Sequence, residues 1–108
     1  MNKYRNKKTV VDNITFDSKK EAGRYVDLKL LERIEEIHDL ELQPKFEIIP
    51  AVKWNGKKLS AKYYIADFRY TQEDVTFIED VKGIRTPAYI LKRQLFLLKY
   101  PEYVFREV

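Results

Sequence analysis

Apolar and polar positions alternate with strand period along much of this chain and switch to helical spacing twice. Residues 9–16 (TVVDNITF) set two short apolar arms around Asp12 and Asn13, the pattern of a tight hairpin. From Ser18 to about Ile37, the positions Ala22, Tyr25, Val26, Lys29, Leu30, Arg33, Ile34 and Ile37 form a helical stripe, apolar except at Lys29 and Arg33. Ser18 followed by Glu21 has the form of a capping box and predicts where that helix starts. Residues 40–43 and 45–49 read as extended pieces stopped by Pro44 and Pro50. Asn55 and Gly56 then predict a second hairpin within residues 52–59. Thr86 and Pro87 suit the start of a second helix reaching about Lys99, with Ile90, Leu91, Leu95 and Leu98 on its apolar side. Residues 103–108 read as a last strand.

The remaining stretch, residues 63–82, organises the chain. β-Branched and aromatic residues fill two arms that fold back about Gln72 and Glu73. With Thr71 opposite Asp74, one face carries Tyr64, Ala66, Phe68 and Tyr70 with Val75, Phe77, Glu79 and Val81. The other carries Ile65, Asp67 and Arg69 with Thr76, Ile78, Asp80 and Lys82. The first is a core face. The second sets Asp67 diagonally beside Asp80, with Lys82 on the same side. Neighbouring carboxylates repel unless positive charge sits between them, which a divalent cation with an ammonium nearby supplies. A turn of odd length would bring Glu79 to Asp67 instead, although Asp80 shares a face with Lys82 whatever the turn.

Composition narrows the chemistry. A chain of 108 residues with 44% apolar content is expected to form one domain, 1–108, with residues 1–8 as a basic N-terminal arm. No apolar run reaches membrane-spanning length and no secretion signal precedes it, so a cytoplasmic protein without membrane contact is expected. The absence of cysteine excludes disulfides and thiol nucleophiles. His38 is the sole histidine, which excludes multi-histidine metal sites and histidine-pair nucleases. The glycines, at 23, 56 and 83, never cluster into a phosphate loop, so no nucleotide cofactor is expected. Basic ends flank an acidic middle: residues 1–20 carry +4, residues 21–82 carry −3 and residues 83–108 carry +3. That distribution suits a polyanion held by the flanks over an acidic site, although charge alone favours a solubilising basic tail. The candidate nucleic-acid contacts are Lys3, Arg5, Lys7 and Lys8 in the arm, Lys19 and Lys20 opening the first helix, and Lys92 and Arg93 on the second.

Asp67, a spacer of twelve residues, then Asp80, Val81 and Lys82 resemble the PD-(D/E)xK signature of the restriction-endonuclease-like nuclease superfamily. Glu21 resembles the acid that family often supplies from its first core helix. Ala66 stands where the signature has proline. Through NKKTVVDNITFDSKKEA, LELQPKF, YIADFRY, IEDVKG and LKRQLF, nearly the whole chain is similar to a family of small phage-encoded proteins regarded as endonuclease-like and often likened to Holliday-junction resolvases.

The resemblance implies an α/β fold with a restriction-endonuclease-like core, a central mixed sheet of about four or five strands flanked by helices. It implies a Mg²⁺-dependent endodeoxyribonuclease, with Mn²⁺ able to substitute, leaving 5′-phosphate and 3′-hydroxyl ends. Asp67, Asp80, the Val81 carbonyl and Glu21 are the expected metal ligands, and Lys82 the residue that orients the attacking water or steadies the phosphate. One such core cuts one strand, so paired cuts on branched DNA imply a homodimer. Glu21 also has a purely structural reading, as the capping partner of Ser18. A non-catalytic nucleic-acid or protein-binding module on the same fold is the alternative function. Trp54, beside the Asn55–Gly56 turn, is expected to pack rather than to stack on a base.

Overall fold

The structure, a computed structural model, describes residues 8–108, so Lys3, Arg5 and Lys7 lie outside the described residues. β1 (Thr9–Val11) and β2 (Ile14–Phe16) form the expected hairpin, with Asp12 and Asn13 at φ 52° and 63°, the left-handed pair that a two-residue turn requires. α1 (Lys19–Arg33) begins as expected, its first turn capped by the Ser18 hydroxyl, which accepts from the Glu21 N–H at 3.1 Å.

That helix stops short of Ile37. Glu35 takes φ 63°, the Glu35 N–H donates to the Glu32 carbonyl at 3.0 Å and the Glu36 N–H to the Leu31 carbonyl at 2.9 Å, a left-handed cap that turns the chain away. The buried stripe is Ala22, Tyr25 and Leu28, packed with Phe16 of β2. Val26, Leu30 and Ile34, expected inside, are exposed, because the hairpin packed on α1 selects the face one residue away.

The strands that follow are β3 (His38–Leu42), β4 (Lys45–Ile49), β5 (Val52–Trp54), β6 (Lys57–Leu59), β7 (Lys62–Ile65), β8 (Phe68–Gln72) and β9 (Val75–Asp80). α2 (Pro87–Lys99) and β10 (Val104–Glu107) complete the chain. A four-stranded sheet has the order β10-β9-β8-β3, in which β10 runs parallel to β9 and the other neighbours are antiparallel. The β8–β9 turn is made by Glu73 and Asp74, at φ 50° and 65°, and Gln72 faces Val75. The expected register, with Thr71 opposite Asp74, is therefore displaced by two residues. An even displacement leaves every side chain on its face.

One irregularity was not expected. Leu42 lies opposite Phe68 and Lys45 opposite Ile65, so β3–β4 and β7–β8 run in one register and are interrupted together at residues 43–44 and 66–67. Gln43 adopts φ 51° and its N–H donates to the Asp67 carbonyl at 2.9 Å, while the Ala66 N–H donates to the Pro44 carbonyl at 3.1 Å. Two successive pairs both hydrogen-bonded do not occur in a regular antiparallel ladder, so the ribbon twists here. The faces exchange as a result. Phe68 and Tyr70 pack with Phe77 on the α1 side, whereas Tyr64 and Ala66 pack with Ile78 and Phe96 on the α2 side, correcting the single core face read from the sequence.

α2 begins at Thr86, whose hydroxyl accepts from the Tyr89 N–H at 3.1 Å, with Pro87 in the first turn. Its buried residues are Tyr89 and Phe96, and the Phe96 ring meets Phe46, Tyr64, Tyr100 and Phe105 at centroid distances of 4.9 to 5.8 Å. Leu91 and Leu98, expected on its apolar side, are exposed. A mixed sheet between two helices, one on each face, makes this an α/β fold. Among the described residues, no helix is long and apolar enough to cross a membrane.

Candidate active site

β9 ends in two consecutive acids, and the sheet turns them opposite ways. Glu79 faces α1 and is fully buried. The Arg24 guanidinium donates to both of its oxygens, at 2.7 and 2.6 Å, and the Tyr70 hydroxyl donates as well. This is a closed bidentate pair with its lone pairs satisfied. The partnership with Glu79 drives the Arg24 pKa further up, so the guanidinium is permanently charged.

Asp80, 1% exposed, faces the other way. The Tyr64 hydroxyl donates to one oxygen and the Lys82 ammonium lies 3.1 Å from the other. Asp67 comes from the twist between β7 and β8. Its N–H donates to the Glu79 carbonyl at 3.0 Å and its carboxylate accepts from the Val81 N–H at 2.7 Å. Its carboxyl is a neighbour of the Asp80 and Glu21 carboxyls, and the three acids act on one another's charge. Four residues singled out from the sequence, Glu21, Asp67, Asp80 and Lys82, are thus brought together from α1, the strand twist and the end of β9.

The electrostatics follow from crowding acids in a partly dry place. Burial pushes the Asp80 carboxyl up to about 7; its contact with Asp67 and that residue's charge push the same way, while the Tyr64 hydroxyl and Lys82 oppose. Burial also raises Asp67, against the Val81 N–H, and raises Glu21, with Asp17 and Asp80 adding repulsion. Burial and the neighbouring Asp80 charge push the Tyr64 hydroxyl well above the usual phenol range.

The donor set has the hard oxygens that Mg²⁺ prefers. Among the described residues, however, no three acidic or histidine side chains converge as a ready-made ion site. The carboxyls are crowded and partly buried, which disfavours charge on all three. The fit is thus one of donor chemistry: a cation is the species whose charge would offset that crowding.

Lys82 stands between two depressions. One, of about 430 Å³, is lined by Ser18, Lys20, Glu21, Gly83 and Ile84 among others. The second, of about 300 Å³, is lined by Tyr63, Tyr64, Tyr89 and Lys92 among others, and Lys82 and Thr86 border both. The Lys82 ammonium lies 4.2 Å from the centroid of the Tyr89 ring, and the Lys20 ammonium donates to the Lys82 carbonyl at 3.3 Å.

Residues 1–107 match the family described as "Protein of unknown function (DUF1064)". The chain belongs to that family. No curated protein matches the chain at a significant level.

Of the predicted DNA contacts, Lys8, Lys19, Lys20 and Lys92 are exposed. Lys8 lies 3.9 Å from Asp17, and Arg93 is turned to Glu107, at 2.9 Å, rather than to an open surface. Sequence reasoning missed Tyr64 and Arg24. It placed Tyr64 on the face opposite Asp80, and no local pattern marks Arg24 as the partner of an acid 55 positions away. Gln43, to which it gave no role, fixes the backbone of Asp67.

Proposed function

We propose that the protein is a metal-dependent DNA endonuclease with a restriction-endonuclease-like core, hydrolysing phosphodiester bonds and selecting branched DNA such as a four-way junction. The observation that carries this reading is the meeting of Glu21, Asp67, Asp80 and Lys82 at one corner of the sheet, beside open depressions that hold Lys20 and Lys92. Glu79, the competing acid of the sequence motif, is closed off by Arg24.

Asp67, Asp80 and Glu21, with the Val81 carbonyl, are the residues that would hold Mg²⁺ or Mn²⁺. When bound, the ion supplies a water of lowered pKa and offsets charge on the phosphate. The protein's own part is positioning. Tyr64 and Lys82 fix the two Asp80 oxygens, and the Val81 N–H and Gln43 fix Asp67. Lys82 borders both depressions, where its ammonium can donate to a phosphate oxygen as charge builds there. A second copy of the chain would supply the second cut, and the exposed Leu91 and Leu98 of α2 offer an apolar face for it.

The second reading is a non-catalytic DNA-binding module, favoured by Asp80 being satisfied by Tyr64 and Lys82 and Asp67 by the Val81 N–H. A panel of junction, flap, nicked and plain duplex DNAs offered with Mg²⁺ and with chelator separates the two. An endonuclease cuts at mapped positions only with the metal. A binding module shifts the same DNAs in both conditions and cuts none.

A further inference from the structure

The chain is more extended than its length requires. Its Cα radius of gyration is 16.0 Å, against about 13 Å for a compact domain of this size. Part of the excess is the hairpin of β5 and β6, which pair with each other alone, and every residue from 50 to 60 is exposed. Two strands without a third, and without a core, are marginal in water. Such an arm persists for what it touches.

Its side chains say what that is. Between Glu47 and Asp67 the chain has four lysines, at 53, 57, 58 and 62, and no acid. Lys53 lies directly opposite Lys58 in the ladder, a like-charge pair that weakens the hairpin unless an anion lies over it. Among the described residues, none of these four lysines is in an ion pair. Trp54, expected to pack, is 64% exposed beside the turn, on the same face as Val52, Lys57 and Leu59. The arm leads directly into β7, where Tyr64 bonds Asp80 and Tyr63 lines the depression shared by Lys82 and Lys92. A two-stranded ribbon has the width of the DNA major groove.

We infer that the β5–β6 hairpin is an arm that grips duplex DNA, its lysines on the phosphates flanking a groove and Trp54 making the apolar contact at the tip. The duplex so held leads along β7 toward Lys82. This rests on the DNA reading above, but it concerns binding, so it is tested without metal and without cleavage.

The experiment measures affinity for a labelled duplex by fluorescence anisotropy, in chelator, between about 50 and 200 mM salt. A triple variant, Lys53→Gln, Lys57→Gln and Lys58→Gln, is expected to flatten the negative slope of log affinity against log salt by about 2.7, or about 0.9 for each phosphate no longer neutralised. Trp54→Ala is expected to weaken binding at every salt concentration with the slope unchanged. Thermal melts of all three proteins should coincide, because the arm has no core to lose. A triple variant with the wild-type slope overturns the proposal, as does a wild type with no salt-dependent binding. So does a Trp54→Ala protein that turns a wild-type dimer into a monomer with DNA affinity unchanged, which would give the arm to a second copy. The two readings fail separately. A wild type that binds with the full arm-dependent slope yet cuts nothing in Mg²⁺ upholds the arm and removes the nuclease.

Discussion

Glu79 and Asp80 are adjacent on β9, both wholly buried, and point to opposite faces: Glu79 closes on Arg24, Asp80 on Tyr64 and Lys82. The same alternation that makes a strand amphipathic here separates a structural acid from the candidate catalytic one.

The two acids should therefore fail differently. Glu79→Gln leaves the half-buried Arg24 without its charged partner and is expected to cost about 1.5 to 3 kcal/mol, the usual worth of a hydrogen bond to a charged group. Asp80→Asn matches the protonated carboxyl in shape and charge and should leave stability unchanged. Cleavage in Mg²⁺ should fall by more than about 100-fold, since a ligand counts for at least as much as the groups that support it. Urea unfolding and DNA cleavage on both variants check this. A stable Glu79→Gln protein without cleavage, beside an active Asp80→Asn protein, would move the site to the α1 side.

The pH dependence of the metal-free protein has two limbs. The Tyr89 hydroxyl, Arg85 and Arg93 hold the Glu107 carboxyl down at about 2, so its stabilisation is complete above about 4.5 and is lost as pH falls toward 2. Asp80 runs the other way. Its pKa is raised to about 7, so its contribution is complete below about 4 and is lost as pH rises through 7; Glu21 and Asp67 carry the same sign. Melting temperature in chelator should be highest near about pH 4 to 5 and fall toward 8. Added Mg²⁺ should restore stability above about pH 7 and do little below about 5. A chelated protein whose stability rises from pH 5 to 8 would show that the carboxyls are not proton-coupled.

Tyr64→Phe tests the hydroxyl that the sequence did not assign. A hydrogen bond to a charged carboxylate contributes about 1.5 to 3 kcal/mol, so its removal should raise the Asp80 pKa by about one to two units. Mg²⁺ binding, followed by isothermal titration from about pH 6 to 9, should then begin at a higher pH in the variant than in the wild type. An unmoved profile would remove Tyr64 from the site.

The local signals were legible because they are local. Asp12–Asn13 and Asn55–Gly56 fix their turns by left-handed propensity, and Ser18 and Thr86 start helices through one side-chain oxygen each. Asp67, Asp80 and Lys82 were legible as a group because strand parity survives a two-residue error in register. The twist at Gln43 and Asp67 was not, since it exists only when two strands distant in sequence are paired. The helical stripe drifted for a similar reason: Val26 and Leu30 are as apolar as Leu28, and only packing against the β1–β2 hairpin and the sheet decides which of them is covered.

Glu21→Gln separates two uses of one residue. The Ser18 hydroxyl caps α1 through the Glu21 N–H, a bond that glutamine keeps, and the Glu21 carboxyl reaches Asp67 rather than returning to Ser18. The cap therefore places no demand on the charge. Replacing a half-buried acid beside Asp17, Asp67 and Asp80 with a neutral amide removes like-charge repulsion, so stability in chelator at neutral pH should hold within about 0.5 kcal/mol or rise. At limiting Mg²⁺ the same change should reduce cleavage by about tenfold or more, with partial recovery as Mg²⁺ is raised, because an amide oxygen is the poorer partner for a hard cation. Isothermal titration with Mg²⁺ alone gives the matching readout, a weaker affinity in the variant with the fold intact. Identical Mg²⁺ titration curves for wild type and Glu21→Gln would confine the ligand set to Asp67, Asp80 and the Val81 carbonyl.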